Sequence, residues 1–357
     1  MLMVVFGAGA SYDSSPERAP GNEDIRPPLA KELFATRRIN AQAAANIPRC
    51  QLILDQLRNL RPDISVEQEL ERLRDSAKDY PEGKRQLVAV QFYLQWVISQ
   101  TQYEWNVFIH WFTNYRTLLG QIDRQRQNEP VCLVTFNYDT FLEEAFSSLG
   151  KRFESLDDYI SGEYKVIKLH GSVDWVRELA ESSETRDADH VAIANGALNV
   201  ADRIELSNKY HLTKLPSNFG GIVQWICSWM ELPGSGRPGR QIVFPAIAIP
   251  FQNKTDFECP IEHQNVLGEC ISKTDKLLII GWKGAEEKFV TLLENGLRKD
   301  IPIMVVSRDR ESASRIFHKL IRGPITPKTS LLGETGFTEE LRSGRIENFV
   351  AGRFHGA

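Results

Sequence analysis

No pairing of cysteines is visible in this 357-residue chain: Cys50, Cys132, Cys227, Cys259 and Cys270 are odd in number, widely spaced and never Cys-x-x-Cys. A disulfide framework and a zinc ribbon are thereby disfavoured, no metal is expected, and thiols in a reducing compartment fit best. No Lys/Arg run exceeds a pair and the net charge is −4, so the footprint of a nucleic-acid binder is missing. Long apolar runs are missing too. The stretch from Tyr93 to Phe112 is broken by Gln95, Gln100, Glu104 and His110, which excludes a membrane span. The amino-terminal apolar run stops at Gly7 without a basic n-region, so it reads as a strand and the expected location is cytoplasmic. There is no Walker-type glycine-lysine loop, no internal repeat and no low-complexity segment.

What is present is ordinary for a self-folding globular chain, with 42% hydrophobic and 25% charged residues. Val131 to Phe136 is a β-branched apolar run that leads through Asn137 and Asp139 into a helical pattern from Phe141 to Phe146. In an open α/β sheet, ligands sit beyond the carboxyl ends of the strands, where these two polar residues fall. Asn and Asp also cap helices, so the pattern leaves both roles open. Leu2 to Phe6 is a similar strand and opens into Gly7-Ala8-Gly9-Ala10-Ser11, a loop of small residues of the kind that lets backbone approach a phosphate. A dinucleotide fingerprint wants a third glycine where Tyr12 stands, which weakens a hydride-transfer reading. Tyr164 to Leu169 alternates like a strand and ends at His170-Gly171-Ser172, putting a titratable ring at the same predicted edge.

Further strands are expected at 242–245, 276–281 and 303–307, the last two each followed by a helical pattern. This alternation implies an α/β fold with a doubly wound, Rossmann-like parallel sheet. The expected organisation is a single domain over 1–357, with a helical insertion at 35–125 and an irregular insertion at 176–240 carrying a helix near 222–230. Residues 12–28, with four prolines, read as a surface loop. Ser65 and Gln68 form a capping-box start for a helix carrying Val66, Leu70 and Leu73. Leu87, Val90, Leu94, Val97, Trp105, Phe108, Phe112, Tyr115 and Leu119 form one stripe, read as one long helix or two collinear ones. It serves as core packing or as a surface for another subunit.

Taken together, Gly7-Ala8-Gly9-Ala10-Ser11, Thr135-Phe136-Asn137-Tyr138-Asp139, Leu169-His170-Gly171-Ser172 and Ile279-Ile280-Gly281-Trp282 resemble the sirtuin-like NAD-binding family, more narrowly its bacterial anti-phage defence branch. The segment Arg26 to Phe34 is in that branch's style. The resemblance implies that Asn137 and His170 are catalytic, His170 as the base and Asn137 orienting water or a ribose hydroxyl. It implies that Gly7, Ala8, Gly9 and Ser11 form the phosphate loop, that Asp139 holds the nicotinamide amide, and that Gly281 and Ser307 lie near the adenosine half. Phe136 stands where sirtuins carry glutamine, and the four-cysteine zinc module and the proline-aspartate-phenylalanine-arginine loop are absent, which argues against protein deacylation.

The activity implied is hydrolysis of NAD to ADP-ribose and nicotinamide, with NAD as substrate, in an effector of anti-phage defence. A non-catalytic NAD or ADP-ribose sensor is the alternative, and a protein deacylase is the third. Similar stand-alone proteins work beside a HerA-type ATPase, so a homo-oligomer controlled by such a partner, or by a phage-derived trigger, is expected.

Overall fold

Six five-residue strands form one parallel sheet: β1 (Leu2–Phe6), β2 (Val131–Thr135), β3 (Tyr164–Lys168), β4 (Lys276–Ile280), β5 (Pro302–Val306) and β6 (Thr329–Gly333). β1, β2 and β5 are buried along their whole length, as parallel strands covered on both faces must be. The computed structural model describes residues 1–15, 22, 24–180, 205–213, 230–231, 240–241, 243–251, 256–298, 300–321 and 329–354. Across the sheet the strands run β3-β2-β1-β4-β5-β6, the doubly wound order expected from the sequence. The chain leaves β1 toward β2 on one side and resumes at β4 on the other, so the order reverses between β1 and β4.

The chain divides into two compact units, one of residues 1–27, 105–170 and 254–357, the other of residues 28–104 and 171–253. The boundary at 104/105 falls inside the expected insertion 35–125. The first unit holds the parallel sheet with α1 (Ala8–Tyr12), α2 (Asn114–Gln125), α3 (Phe141–Phe146), α4 (Ile261–Lys273), α5 (Glu287–Gly296), α6 (Arg310–Leu320), α7 (Gly336–Arg342) and α8 (Arg345–Val350). The second unit contains helices at Arg38–Asn46, Gln51–Arg58 and Val66–Ser76, and most of the helix Pro81–Phe108. The Ser65 and Gln68 capping box forms as predicted, Ser65 Oγ accepting from Gln68 N at 3.1 Å.

Several expectations need correction. The strand at 242–245 belongs to a different sheet: Val243–Ile247 pairs antiparallel with Gly171–Leu179, which also pairs with Leu206–Leu212. Pro245 lacks an N–H, and Val243–Ile247 is an edge strand where that donor is not needed. Gln91 and Gln95 from the long helix bond the carbonyls of Ile247 and Val173 at 2.8 and 2.6 Å, joining helix to sheet within this unit. Of the two readings of the apolar stripe, two helices is the one observed, with the break where His110 and Trp111 adopt φ of 51° and 63°. Residues 13–15 leave the surface, because Ser14 Oγ accepts from Trp105 Nε1 at 2.9 Å and the backbone of 13–15 is held by Asn114. The tail past 323 contributes β6, α7 and α8, whose mixed polarity carried no strand signal. The helix near 222–230 and most of 176–240 lie outside the described residues. Among the described residues no helix is long and apolar enough to cross a membrane.

At the reversal point the backbone of the β1 loop lies directly on that of the β4 loop. Gly7 N donates to Ile280 O and Gly9 N to Gly281 O, both at 3.0 Å. A Cβ on Gly281 would sit 2.3 Å from Ala10 N, and its φ of +62° already disfavours any other residue. Gly344 shares the left-handed conformation, at φ +73°, with nothing within 4 Å of an added Cβ. Gly344→Ala is therefore expected to cost about 1 kcal/mol. Gly281→Ala should lose at least about 2 kcal/mol more, or prevent folding, because backbone atoms must move. Urea denaturation of the two variants checks this, and equal losses would show that the close approach is relaxed at no cost.

Candidate active site

The ladder hydrogen bonds continue one residue past the carboxyl end of the strands. Gly7 N donates to Ile280 O, Phe136 N to Phe6 O, Leu169 N to Thr135 O, Gly281 N to Val306 O and Ser307 N to Gly333 O, at 2.9 to 3.1 Å. Register therefore aligns Gly7, Phe136, Leu169, Gly281 and Ser307 in one row, after which Ala8 opens α1 and Gly281, at φ +62°, turns the chain away. Asn137 and His170, predicted from separate segments, each follow two residues after the ends of the adjacent strands β2 and β3, and the His170 ring contacts Phe136 and Tyr138 on either side of Asn137.

Asn137 is 6% exposed, and its side-chain amide donates on three sides: to Gly7 O at 3.0 Å, Ser11 Oγ at 2.9 Å and the Tyr115 hydroxyl at 3.1 Å. Both amide hydrogens are thereby engaged within the chain, and Oδ1 is the atom remaining for a ligand. Ser11 Oγ donates to Asp139 Oδ2 at 2.7 Å and lies 2.9 Å from the Tyr115 hydroxyl. Asp139 Oδ1 accepts from Phe141 N at 3.3 Å, at the start of α3. The N-cap of α3 is Thr140, so Asp139 stands one residue before the cap, one carboxylate oxygen bonded to the first turn and the other to Ser11. Gly7, Gly9 and Ala10 amides all bond within the chain. Gly7, Gly9 and Gly281 are explained by backbone packing before any phosphate is considered.

Beneath Asp139 lies a pair that sequence reasoning missed. Lys168 is fully buried at the end of β3, donating to Glu143 Oε1 at 2.7 Å and to the Asp139 carbonyl. Tyr159 donates to the same Glu143 oxygen at 3.1 Å. β3 reads Tyr-Lys-Val-Ile-Lys, so Lys168 passed as a polar position of an alternating strand and gave no separate signal. Removing one partner of such a buried pair costs about 3–5 kcal/mol. Burial pushes the Asp139 carboxyl above the usual aspartate range, against the opposing pull of Lys168 and of the Ser11 hydrogen bond.

His170 occupies an aromatic corner. Its ring meets Phe136 edge-on at 5.0 Å and stacks near Tyr138 at 5.9 Å, the two residues flanking Asn137. Phe136 stacks on Trp282 at 5.5 Å with 7° between planes. Trp282 Nε1 donates to Glu286 Oε2 at 2.5 Å, and Glu286 Oε1 lies 3.8 Å from His170 Nε2. Glu286 and Trp282 thus buttress the ring, and only the fold reveals it. Ser307 sits apart, two strands from β1, its backbone bonded to Gly333 and Gly336. Among the described residues no three His, Cys, Asp or Glu side chains group as metal ligands, and Cys227 lies outside them.

No protein-family profile and no curated protein matches this chain. Among solved structures, a Sir2 homologue point mutant in complex with ADP-ribose shares 13% identity, covering 98% of this chain and 91% of that one, at a TM-score of 0.39. A Sir2 homologue–NAD complex shares 15%, covering 96% and 89%, at 0.36. A Sir2 protein bound to a propionylated peptide shares 11%, covering 98% and 94%, at 0.38. The site above rests on its own geometry rather than on likenesses this distant.

The raised Asp139 carboxyl has a measurable consequence. Because the folded state holds this proton more tightly than the unfolded chain, the stability associated with it is intact below the ordinary aspartate range and is lost as pH rises through the raised value. Asp139→Asn, which cannot ionise, should flatten that part of the profile. Unfolding free energies of wild type and variant across a weakly acidic pH series check it, and parallel curves would contradict the shift.

Proposed function

We propose that the chain is a sirtuin-like NAD hydrolase, cleaving the nicotinamide–ribose bond of NAD with water to give ADP-ribose, nicotinamide and a proton. The observation that carries this reading is the joining of Asn137, through its amide, to the Gly7 carbonyl and Ser11 of the first loop, with the His170 ring against Phe136 and Tyr138, the two sequence neighbours of Asn137. It lies beside the reversal point of a doubly wound sheet, where dinucleotides bind. The four motifs that resemble the sirtuin-like family give the substrate.

Bond breaking leaves positive charge on the ribose, so the site's tasks are to hold the sugar, place water at the anomeric carbon and take up a proton. Asn137 contributes an acceptor through Oδ1, oriented toward a water or ribose hydroxyl proton. His170, held by Phe136, Tyr138 and Glu286, is the base that receives the proton of the attacking water. Asp139, with its outer lone pairs, accepts from the nicotinamide amide. The small-residue loop from Gly7 to Ser11 faces the pyrophosphate, and Gly281 and Ser307 lie toward the adenosine half.

In the cell this activity would deplete NAD as an effector of bacterial anti-phage defence, in the cytoplasm, as a homo-oligomer whose activity is set by a HerA-type ATPase or a phage-derived trigger. Support for assembly comes from the break after the long helix, where Val107, Phe108, Trp111 and Phe112 are 49%, 41%, 51% and 58% exposed.

Incubation of the pure protein with NAD and chromatographic separation of products should show nicotinamide and ADP-ribose in equal amounts. His170→Ala and Asn137→Ala should each lower turnover by about 100-fold or more while remaining folded. Full turnover by folded His170→Ala would remove that residue from the mechanism. Light scattering over a dilution series reads the assembly, and a monomer hydrolysing NAD at full rate without any addition would exclude control by association.

A further inference from the structure

We infer that Tyr115 is a positioning residue of this site: its buried hydroxyl fixes the Asn137 amide so that Oδ1 is the atom presented to the substrate. The catalytic half of this inference rests on the NAD hydrolase reading, whereas the hold on Asn137 stands on geometry alone. Tyr115 belongs to α2, far in sequence from every motif of the site. Its ring is enclosed by Phe6 at 5.2 Å, Phe141 stacked at 6.2 Å and Phe337 edge-on at 5.9 Å. Its hydroxyl meets Ser11 Oγ at 2.9 Å and Asn137 Nδ2 at 3.1 Å.

Proton placement makes the arrangement directional. Ser11 gives its hydrogen to Asp139 Oδ2, so the hydrogen between Ser11 and Tyr115 comes from the phenol. The phenol oxygen is then free to accept, and Asn137 Nδ2 is the donor beside it. Burial pushes the Tyr115 hydroxyl well above the usual phenol range, which keeps its proton in place. Hydrogen bonds therefore run from Asn137 through Tyr115 and Ser11 to Asp139. A reversed Asn137 amide would set its oxygen against the Gly7 carbonyl, where Nδ2 now sits at 3.0 Å. Gly7 thus selects which end of the amide faces inward, while the rigidly caged phenol sets where that amide lies.

Tyr115→Phe keeps the ring and removes only the hydroxyl. With NAD, its kcat should fall by about 100-fold at nearly unchanged KM, as for a misplaced catalytic group. Asn137→Ala added to Tyr115→Phe should lower kcat no further than Asn137→Ala alone, because both act through one amide. Independently of activity, the Asn137 side-chain amide protons, assigned by their loss in Asn137→Ala, should be protected from exchange in wild type and lose that protection in Tyr115→Phe. Wild-type kcat in Tyr115→Phe, losses that multiply in the double variant, or unchanged amide exchange would each overturn the inference; a lower melting temperature with unchanged kcat per folded molecule would do the same. If wild type leaves NAD intact, the hydrolase reading falls, and amide exchange alone decides whether Tyr115 holds Asn137. Should Tyr115→Phe fail to fold, Ser11→Ala, which interrupts the same chain and leaves the aromatic cage untouched, is read by the same double-variant and exchange measurements.

Discussion

The approach of the first loop to the fourth strand is the constraint on which the rest of the molecule depends. Gly9 donates to the Gly281 carbonyl at 3.0 Å, and a Cβ on Gly7 would meet the Trp282 Cα at 2.5 Å. No side chain fits between these segments, so backbone lies on backbone where the strand order reverses. That contact turns the Gly7 carbonyl toward β2, where Asn137 reaches it, and places Trp282 against Phe136. The glycine pattern is thus first a packing requirement.

From that contact the polar groups extend inward, bonded one to the next. Asn137, Ser11, Tyr115 and Asp139 satisfy one another in a region where an unpaired donor costs about 1–3 kcal/mol. Lys168 and Glu143 continue the network below Asp139, so the site stands on a buried charged pair rather than an apolar floor. Such networks are demanding: each member constrains the orientation of the next, and the low local dielectric penalises any gap. The acceptor left on Asn137 is the product of this filling, since every donor of its amide is engaged.

On the other side of Asn137 the surroundings are aromatic. Phe136 stands between His170 and Trp282, with Phe289 edge-on to it at 5.3 Å. A glutamine at this position would offer a ligand two polar ends, whereas a phenyl ring offers only surface, which fixes the imidazole by packing. Beside it Glu286 accepts from Trp282 Nε1, and its other carboxylate oxygen lies 3.8 Å from His170 Nε2.

Local sequence determined a good deal of this. Period-two and continuous apolar runs marked β1, β2, β3, β4 and β5, because strands buried on both faces tolerate little else, and the glycines and polar residues at their ends marked one edge of a doubly wound sheet. Ser65 and Gln68 marked a helix start because capping is decided within one turn. Tertiary structure decided what local pattern cannot encode. Val243–Ile247 pairs with Gly171–Leu179 rather than joining the parallel sheet, a matter of which strand edge is available; β6 forms from a mixed-polarity segment because β5 offers it a partner. Tyr115 looked like one more aromatic in an apolar stripe, and Lys168 like the polar half of an alternating strand. Their functions depend on groups tens to over a hundred residues away in the chain, and only the folded register brings those groups within hydrogen-bonding distance.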